Sequence, residues 1–388
     1  MTATRRPTRP ATARPAGRER SRGQRTQGTF LLLVALVAVL NMIGLVMILS
    51  ASSVEALRDH GSSWLYFNRQ LIWVGGGAVV FLVSTRIDFR VWRRLAVPLL
   101  ALSGVLLFLV LIPGVGISVY GSSRWLGFGQ LRMQPSELAK LALLIFSADL
   151  LARRAGRIAD TRLTLRPVLA VLGVVVLLLM KQPDLGTTLV TGSIVFAVLF
   201  VAGIPLVPMT TVAAVGAAGV LFLSLSADYR RARVTAFLDP WADPLNTGYQ
   251  SLQSMVGLAS GGIFGLGLGA SRAKWGFLPN AHTDFIFAII GEELGLLGAA
   301  LVVGLFCALG WVGVRIALRA PDRFGMLMAA GITTWFMVQA FVNIGAVIAV
   351  LPITGVPLPF VSFGGSSLLV SMAAAGMLAN IARQAKPS

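Results

Sequence analysis

FLLLVALVAVLNMIGLVMIL, residues 30–49, runs for twenty positions without an ionisable side chain, and Asn41 is its one strongly polar residue. At 1.5 Å of rise per residue, a helix of about that length crosses the ~30 Å hydrocarbon core of a bilayer. Nine further apolar blocks follow, at Leu71–Val83, Leu95–Ile112, Leu138–Leu151, Pro167–Met180, Thr187–Val201, Leu206–Leu225, Leu294–Val314, Met326–Val350 and Ser367–Ile381. None shows the period-two alternation of a transmembrane barrel strand. With 56% hydrophobic and 12% charged residues, the chain is too apolar for a soluble domain of 388 residues. The expectation is an all-α integral membrane protein of about ten transmembrane helices, the shorter blocks being lengthened by polar residues at their ends.

The net charge of +18 invites a nucleic-acid reading. The arginines argue against it, because they lie in short segments between apolar blocks rather than on one soluble domain. Residues 1–28 carry arginine, proline, threonine and glycine with little to bury, and read as a disordered basic tail. The apolar run after it exceeds the core of a signal peptide, so an uncleaved first helix is expected before Ser50-Ala51-Ser52. Placing this tail, Arg86–Arg94, Arg153–Arg166, Arg315–Arg323 and the C-terminal tail 385–388 inside puts most of the 33 Lys and Arg residues on the cytoplasmic side. Both termini are then cytoplasmic, the membrane domain spans 29–384, and one long segment, 227–293, lies outside between helices 7 and 8. Loops of that length in compact domains are commonly functional. The single cysteine, Cys307, and two distant histidines, His60 and His282, exclude an intramolecular disulfide and make a histidine zinc site a poor reading.

Four polar constellations fall at the outer helix ends. Arg132-Met-Gln-Pro-Ser-Glu137-Leu-Ala-Lys140 opens a helix with proline in its first turn, and Glu137 and Lys140 share a face. They pair or snorkel there, or they face a wet cavity. In Lys181-Gln-Pro-Asp184-Leu-Gly-Thr, Asp184 suits a helix cap, and Lys181 suits either a phosphate or an anchor at the headgroups. The glycine-rich stretch 261–269 precedes Arg272, Lys274, His282 and Asp284; Asp284 reads either as a helix cap, with Glu292 and Glu293 at the water interface, or as a site acid. No strand precedes those glycines and no Lys-Ser/Thr follows, so a nucleotide loop is excluded. Finally, Pro352, Pro357 and Pro359 break the helical pattern before Gly364-Gly365-Ser366-Ser367 restarts it, which is either a turn or a site loop.

Together, Gln134-Pro-Ser-Glu137 with Lys140, Gln182-Pro-Asp-Leu-Gly-Thr187, Pro279-Asn-Ala-His-Thr-Asp-Phe285 with Gly291-Glu-Glu-Leu-Gly295, and Pro357-Leu-Pro-Phe360 through Ser367 resemble the SEDS family of peptidoglycan glycosyltransferases. The match covers nearly the whole chain after the tail and is nearer the division branch of that family than the elongation branch. Phe363 stands where many members have tyrosine. The resemblance implies polymerisation of lipid II by inverting transfer, with Asp284 as the general base. It implies that Arg132, Glu137 and Lys140 line one outer cavity, and Lys181, Lys274, His282 and Ser366 are further candidates for substrate binding. A divalent cation, magnesium or manganese, is an expected helper, and no organic cofactor is expected. The implied partners are a class B penicillin-binding protein, other divisome proteins and membrane lipid, at the septum of the bacterial inner membrane. A lipid II flippase and a non-catalytic divisome scaffold are the alternatives; the clustering of polar candidates at one end counts against the first.

Overall fold

The structure is a computed structural model that describes residues 16–119, 122–128, 131–226 and 228–385. Residues 1–15 of the basic tail and 386–388 of the C-terminal tail lie outside the described residues. Each of the ten apolar blocks forms a helix of its own. In chain order these are α1 (Ala16–His60), α2 (Leu65–Arg86), α3 (Phe89–Val110), α4 (Pro135–Arg153), α5 (Leu165–Lys181), α6 (Leu185–Ala202), α7 (Leu206–Leu225), then α10 (Ile286–Leu318), α11 (Arg323–Val347) and α12 (Gly365–Arg383). Eight of them are long and apolar enough to cross a membrane. The other two are α4, which carries Glu137, Lys140, Asp149 and Arg153, and α5, which has 17 residues.

Three expectations need correction. The tail was expected to be disordered to residue 28, yet α1 reaches back to Ala16. Alanine, arginine, glutamate and glutamine there favour helix, and adding turns to a helix already nucleated costs little. The segment 227–293, expected as one outer loop, is partly helical: it contains α8 (Asp228–Leu238) and α9 (Tyr249–Gly261), and its last residues are the first turns of α10. Glu292 and Glu293, expected at the water interface, are buried. A small sheet also precedes α4, with β1 (Ile117–Val119), β2 (Ser122–Phe128) and β3 (Leu131–Met133) antiparallel in that order and Gly127 opposite Arg132.

The centre of the bundle is α11 and α12, packed against α4, α6 and α10 and against α2 respectively. Small residues bring helices close: a Cβ on Gly376 of α12 would sit 2.6 Å from the Phe81 carbonyl of α2. By contrast α7 is exposed along most of its length and packs on α8 and α6. The arginine-rich helix ends gather at one end of the bundle, where Asp149 holds Arg93 and Arg153 at 2.5 and 2.8 Å, and Asp322 caps α11 while holding Arg90 at 3.0 Å.

At the opposite end α10 is broken. Gly295 has φ 68° and ψ −166°, which separates a short buried segment, 286–294, from the long membrane helix. Glu292 and Glu293 tie that segment to the glycine-rich turn after α9. Glu292 accepts from Ser271 Oγ at 2.5 Å and the Arg272 amide at 2.8 Å. Glu293 accepts from Ser50 Oγ at 2.6 Å and the Ser271 amide at 3.2 Å, with Lys274 Nζ at 3.5 Å. A Cβ at Gly295 would run into the Gly265 amide nitrogen and the Ile263 carbonyl.

Gly295→Ala is therefore expected to destabilise the protein by roughly 3 kcal/mol or more, through left-handed backbone strain and overpacking. Gly304→Ala, on the same helix with open space around it, should be neutral or stabilising. Thermal midpoints in detergent compare the two, and equal behaviour would refute the packing account of the break.

Candidate functional site

Asp184 shows how the cavity wall is assembled. It caps α6 by accepting the Thr187 amide at 3.1 Å, as its position after Pro183 suggested. Its other oxygen lies 3.4 Å from Gln134 Nε2, and Arg124 approaches at 4.0 Å. Arg124, on β2, donates to the Gln182 and Pro183 carbonyls at 3.1 and 2.7 Å, which fixes its guanidinium at the junction of α5 and α6. The Gln134 amide donates to Ser366 Oγ at 3.1 Å, joining the sheet to the start of α12. Gly365 is required there for space, because a Cβ would enter the Trp73 indole.

The segment 280–285 is fastened just as firmly. Asn280 adopts φ 58° and its carbonyl accepts from the Thr283 and Phe285 amides at 3.1 and 3.4 Å. Ser362 Oγ donates to the Thr283 carbonyl at 2.6 Å, the Phe363 amide to the His282 carbonyl at 3.0 Å, and Asn343 Nδ2 to the Asp284 carbonyl at 2.8 Å. The backbone at Asp284 is thereby immobilised while its side chain faces a cavity of about 880 Å³. Arg69, Arg124, Arg132 and Arg233 line that cavity, together with Glu55, Tyr66, His282, Gly355 and Phe363.

Asp284 does not cap α10, whose cap residue is Phe285. Among the described residues its carboxylate receives no hydrogen bond. Burial at the cavity floor pushes its pKa up to about 6, against the opposing pull of Arg233, His282 and Arg124 and with Asp184 adding to the rise. His282 Nδ1 lies 3.3 Å from Glu55 Oε2, and its ring packs 4.8 Å from Tyr66 and 5.6 Å from Phe363. The arrangement offers one carboxylate able to take a proton and four guanidinium groups suited to a polyanionic group.

The family description "Cell cycle protein", FtsW/RodA/SpoVE, matches residues 30–387. The chain belongs to this family. It is 44% identical over 375 residues to the probable peptidoglycan glycosyltransferase FtsW of Mycobacterium tuberculosis, covering 96% of this chain and 71% of that one. It is 42% identical to stage V sporulation protein E of Bacillus subtilis, covering 92% and 97%. Among solved structures, a chain from a peptidoglycan synthase complex, described as coordinating polymerization and crosslinking, is 34% identical with a TM-score of 0.74, over 91% of this chain and 97% of that one. The rod shape determining protein RodA of Thermus thermophilus is 30% identical with a TM-score of 0.67, over 91% and 96%.

Of the residues the sequence singled out in this FtsW/RodA/SpoVE chain, Asp284, Arg132 and His282 meet at the cavity, and Ser366 stands directly behind its wall. Four others do not line it. Lys140 and Glu137 form a closed pair at 2.9 Å, each about 2% exposed, with Lys140 also 3.0 Å from Gln339 Oε1 and 4.8 Å from the Trp335 ring. Their three-residue spacing turns both inward, so Lys140 finds its partner inside the bundle rather than in a wet cavity. Lys274 is buried against the Gly269 carbonyl at 2.5 Å and Glu293. Lys181 is exposed at the end of α5. The sequence reading passed over Glu55, Arg69, Arg124 and Arg233. A usable signal for the arginines existed, because the positive-inside bias leaves few arginines on the outer side and these are among them.

Lys140→Met is expected to cost about 3–5 kcal/mol by stranding Glu137 in the interior. Adding Glu137→Gln should recover at least half of that loss. Thermal midpoints of the single and double variants measure this; a double variant as unstable as the single would show that the two residues do not act as a pair.

Proposed function

We propose that this chain is a peptidoglycan glycosyltransferase that polymerises lipid II into glycan strands during septal wall synthesis, with Asp284 as general base. The observation that carries the reading is one half-buried carboxylate with a raised pKa, held by fixed backbone in a cavity walled by four arginines. The name of its Mycobacterium relative supports both the reaction and the division role.

Lipid II carries its sugar on a polyprenyl pyrophosphate, a leaving group that needs charge neutralisation more than a proton. Asp284 takes the proton from the acceptor sugar 4-hydroxyl as that oxygen attacks the anomeric carbon of the donor. The bond from that carbon to the pyrophosphate oxygen breaks, its electron pair leaves with the pyrophosphate, and the anomeric configuration inverts. Arg69, Arg124, Arg132 and Arg233 stabilise the departing charge. A second catalytic carboxylate, as in glycoside hydrolases, is not required. Glu55 is occupied with His282, which it holds against Tyr66 and Phe363.

The residues present do not fit a divalent-cation cage built by the protein. Among the described residues no three His, Cys, Asp or Glu side chains converge on one point, and of the carboxylates beside Asp284, Asp184 serves as a helix cap and Glu55 pairs with His282. Asp284 and the cavity arginines carry the proton and charge steps in this reading.

In this reading the arginine-rich end of the bundle faces the cytoplasm with both termini, and the cavity opens on the outer side of the inner membrane. A class B penicillin-binding protein crosslinks the product and other divisome proteins bring the pair to the septum, a role supported by the solved synthase complex that the chain resembles.

The test is lipid II polymerisation by the wild type and Asp284→Asn, each with the cognate penicillin-binding partner whose own catalytic site is disabled. Wild type should make glycan, and the variant should be slower by about 10²–10⁴-fold while still binding its partner; equal rates would overturn the assignment. Because the base works deprotonated, the rate should rise with pH through about 6. Arg233→Ala removes a cation that holds the Asp284 pKa down, so its acid limb should move to higher pH. An unmoved limb would detach that titration from Asp284.

A further inference from the structure

At the arginine-rich end of the bundle, a cleft of about 310 Å³ lies between the start of the apolar part of α1 and the last turns of α10. Trp311 and Arg315 of α10 and Arg319, its C-terminal cap residue, line one side of it, spaced four residues apart along one face, with Thr29 and Leu32 of α1 opposite. The Arg315 guanidinium carbon sits 3.6 Å from the Trp311 ring centroid, so an aromatic face holds it with its N–H edge left for an acceptor.

Several other arginines of this end have partners within the protein. Arg93 and Arg153 share Asp149, Arg90 pairs with Asp322, and Arg323 and Arg383 donate to the carbonyls of Ala202 and Thr85. Among the described residues, neither Arg315 nor Arg319 has a carboxylate within ion-pair distance or a side-chain hydrogen bond. Two guanidinium forks one turn apart match the two free oxygens of a phosphodiester. The rest of the wall is apolar and continuous with the lipid-facing surface: Leu32, Trp311 and Leu318 are 40%, 51% and 79% exposed. A tryptophan beside arginines at the end of a membrane helix marks headgroup depth.

We propose that this cleft binds the headgroup of an anionic diacyl phospholipid from the arginine-rich leaflet, with Arg315 and Arg319 on the phosphodiester and Trp311 and Leu32 against the glycerol and upper acyl chains. A free phosphate ion would leave the apolar wall unused, and a zwitterionic lipid would bring its own cation beside the two arginines. The cleft shares no lining residue with the cavity that Asp284 faces, and nothing in the glycan chemistry requires it.

The test is native mass spectrometry of the full chain in detergent, titrated with phosphatidylglycerol, phosphatidylcholine or inorganic phosphate. Wild type should retain phosphatidylglycerol roughly tenfold or more tightly than phosphatidylcholine, and Arg315→Gln with Arg319→Gln should lose most of that preference. Arg94→Gln with Arg166→Gln, two exposed arginines of the same end, removes equal charge and should change the preference by less than about twofold. Trp311→Leu, which keeps both charges, should lose part of the preference with unchanged thermal midpoint, so a folding defect in the arginine variant would not decide the matter. Equal losses in the two arginine pairs would reduce the site to diffuse surface attraction. Equal retention of the two lipids, or displacement of phosphatidylglycerol by millimolar phosphate, would also overturn the proposal.

Discussion

Two amides on α11, one turn apart, hold the irregular backbone around the cavity. Gln339 accepts from Lys140 Nζ and Trp335 Nε1 at 3.0 and 2.7 Å and donates to the Pro357 carbonyl at 2.9 Å. Asn343 donates to the carbonyls of Asp284 and Val356, both at 2.8 Å. The proline-rich stretch before α12 cannot satisfy its own carbonyls by helix formation, and an unpaired carbonyl in an apolar interior costs on the order of 1–3 kcal/mol. Supplying donors from a rigid, central helix lets that stretch lie against α11 and brings residue 284 to a fixed place. The same glutamine completes the environment of the Lys140 and Glu137 pair, so packing at the bundle centre and geometry at the cavity share one side chain.

The helices were legible because their signal is collective. Twenty apolar residues in a row need no knowledge of their neighbours, and all ten blocks became separate helices. What failed was local and polar. The segment 227–293 read as an outer loop because Glu292 and Glu293 carry charge and the glycines interrupt periodicity. Their burial depends on donors far off in sequence, Ser50 of α1 and the backbone amides of Ser271 and Arg272, which no local pattern announces. Gly295 likewise looked like an ordinary helix glycine, and only the approach of the Gly265 and Ile263 backbone explains why no side chain fits.

The site divides along the same line. Asp284 and Arg132 came from the family motifs, since the residues alone left Asp284 open between a helix cap and a site acid. Lys140 stayed open between two surroundings because spacing alone does not distinguish a lysine facing water from one facing a glutamate, and in this chain the partner is three residues away on its own helix. Arg124 and Arg233 went unremarked although both lie in segments assigned to the outer side, where each departure from the charge bias is informative. Reading the bias for its exceptions as well as its sum would have found the cavity's cations.

Irregular backbone is tolerated near a membrane only where protein buries it or a wet cavity receives it. In this chain most such backbone collects at one end: the turn at Gln182 to Asp184, the Asn280 turn, the broken start of α10 and the stretch from Leu351 to Gly364 all border or support the same hollow. Once these breaks are assembled, their helix ends and arginines face an interior that is neither lipid nor open water, and a carboxylate placed there resists ionisation. The raised pKa of Asp284 thus follows from the way the bundle accommodates its own broken helices, and it is also what makes that carboxylate a stronger base than one in bulk water.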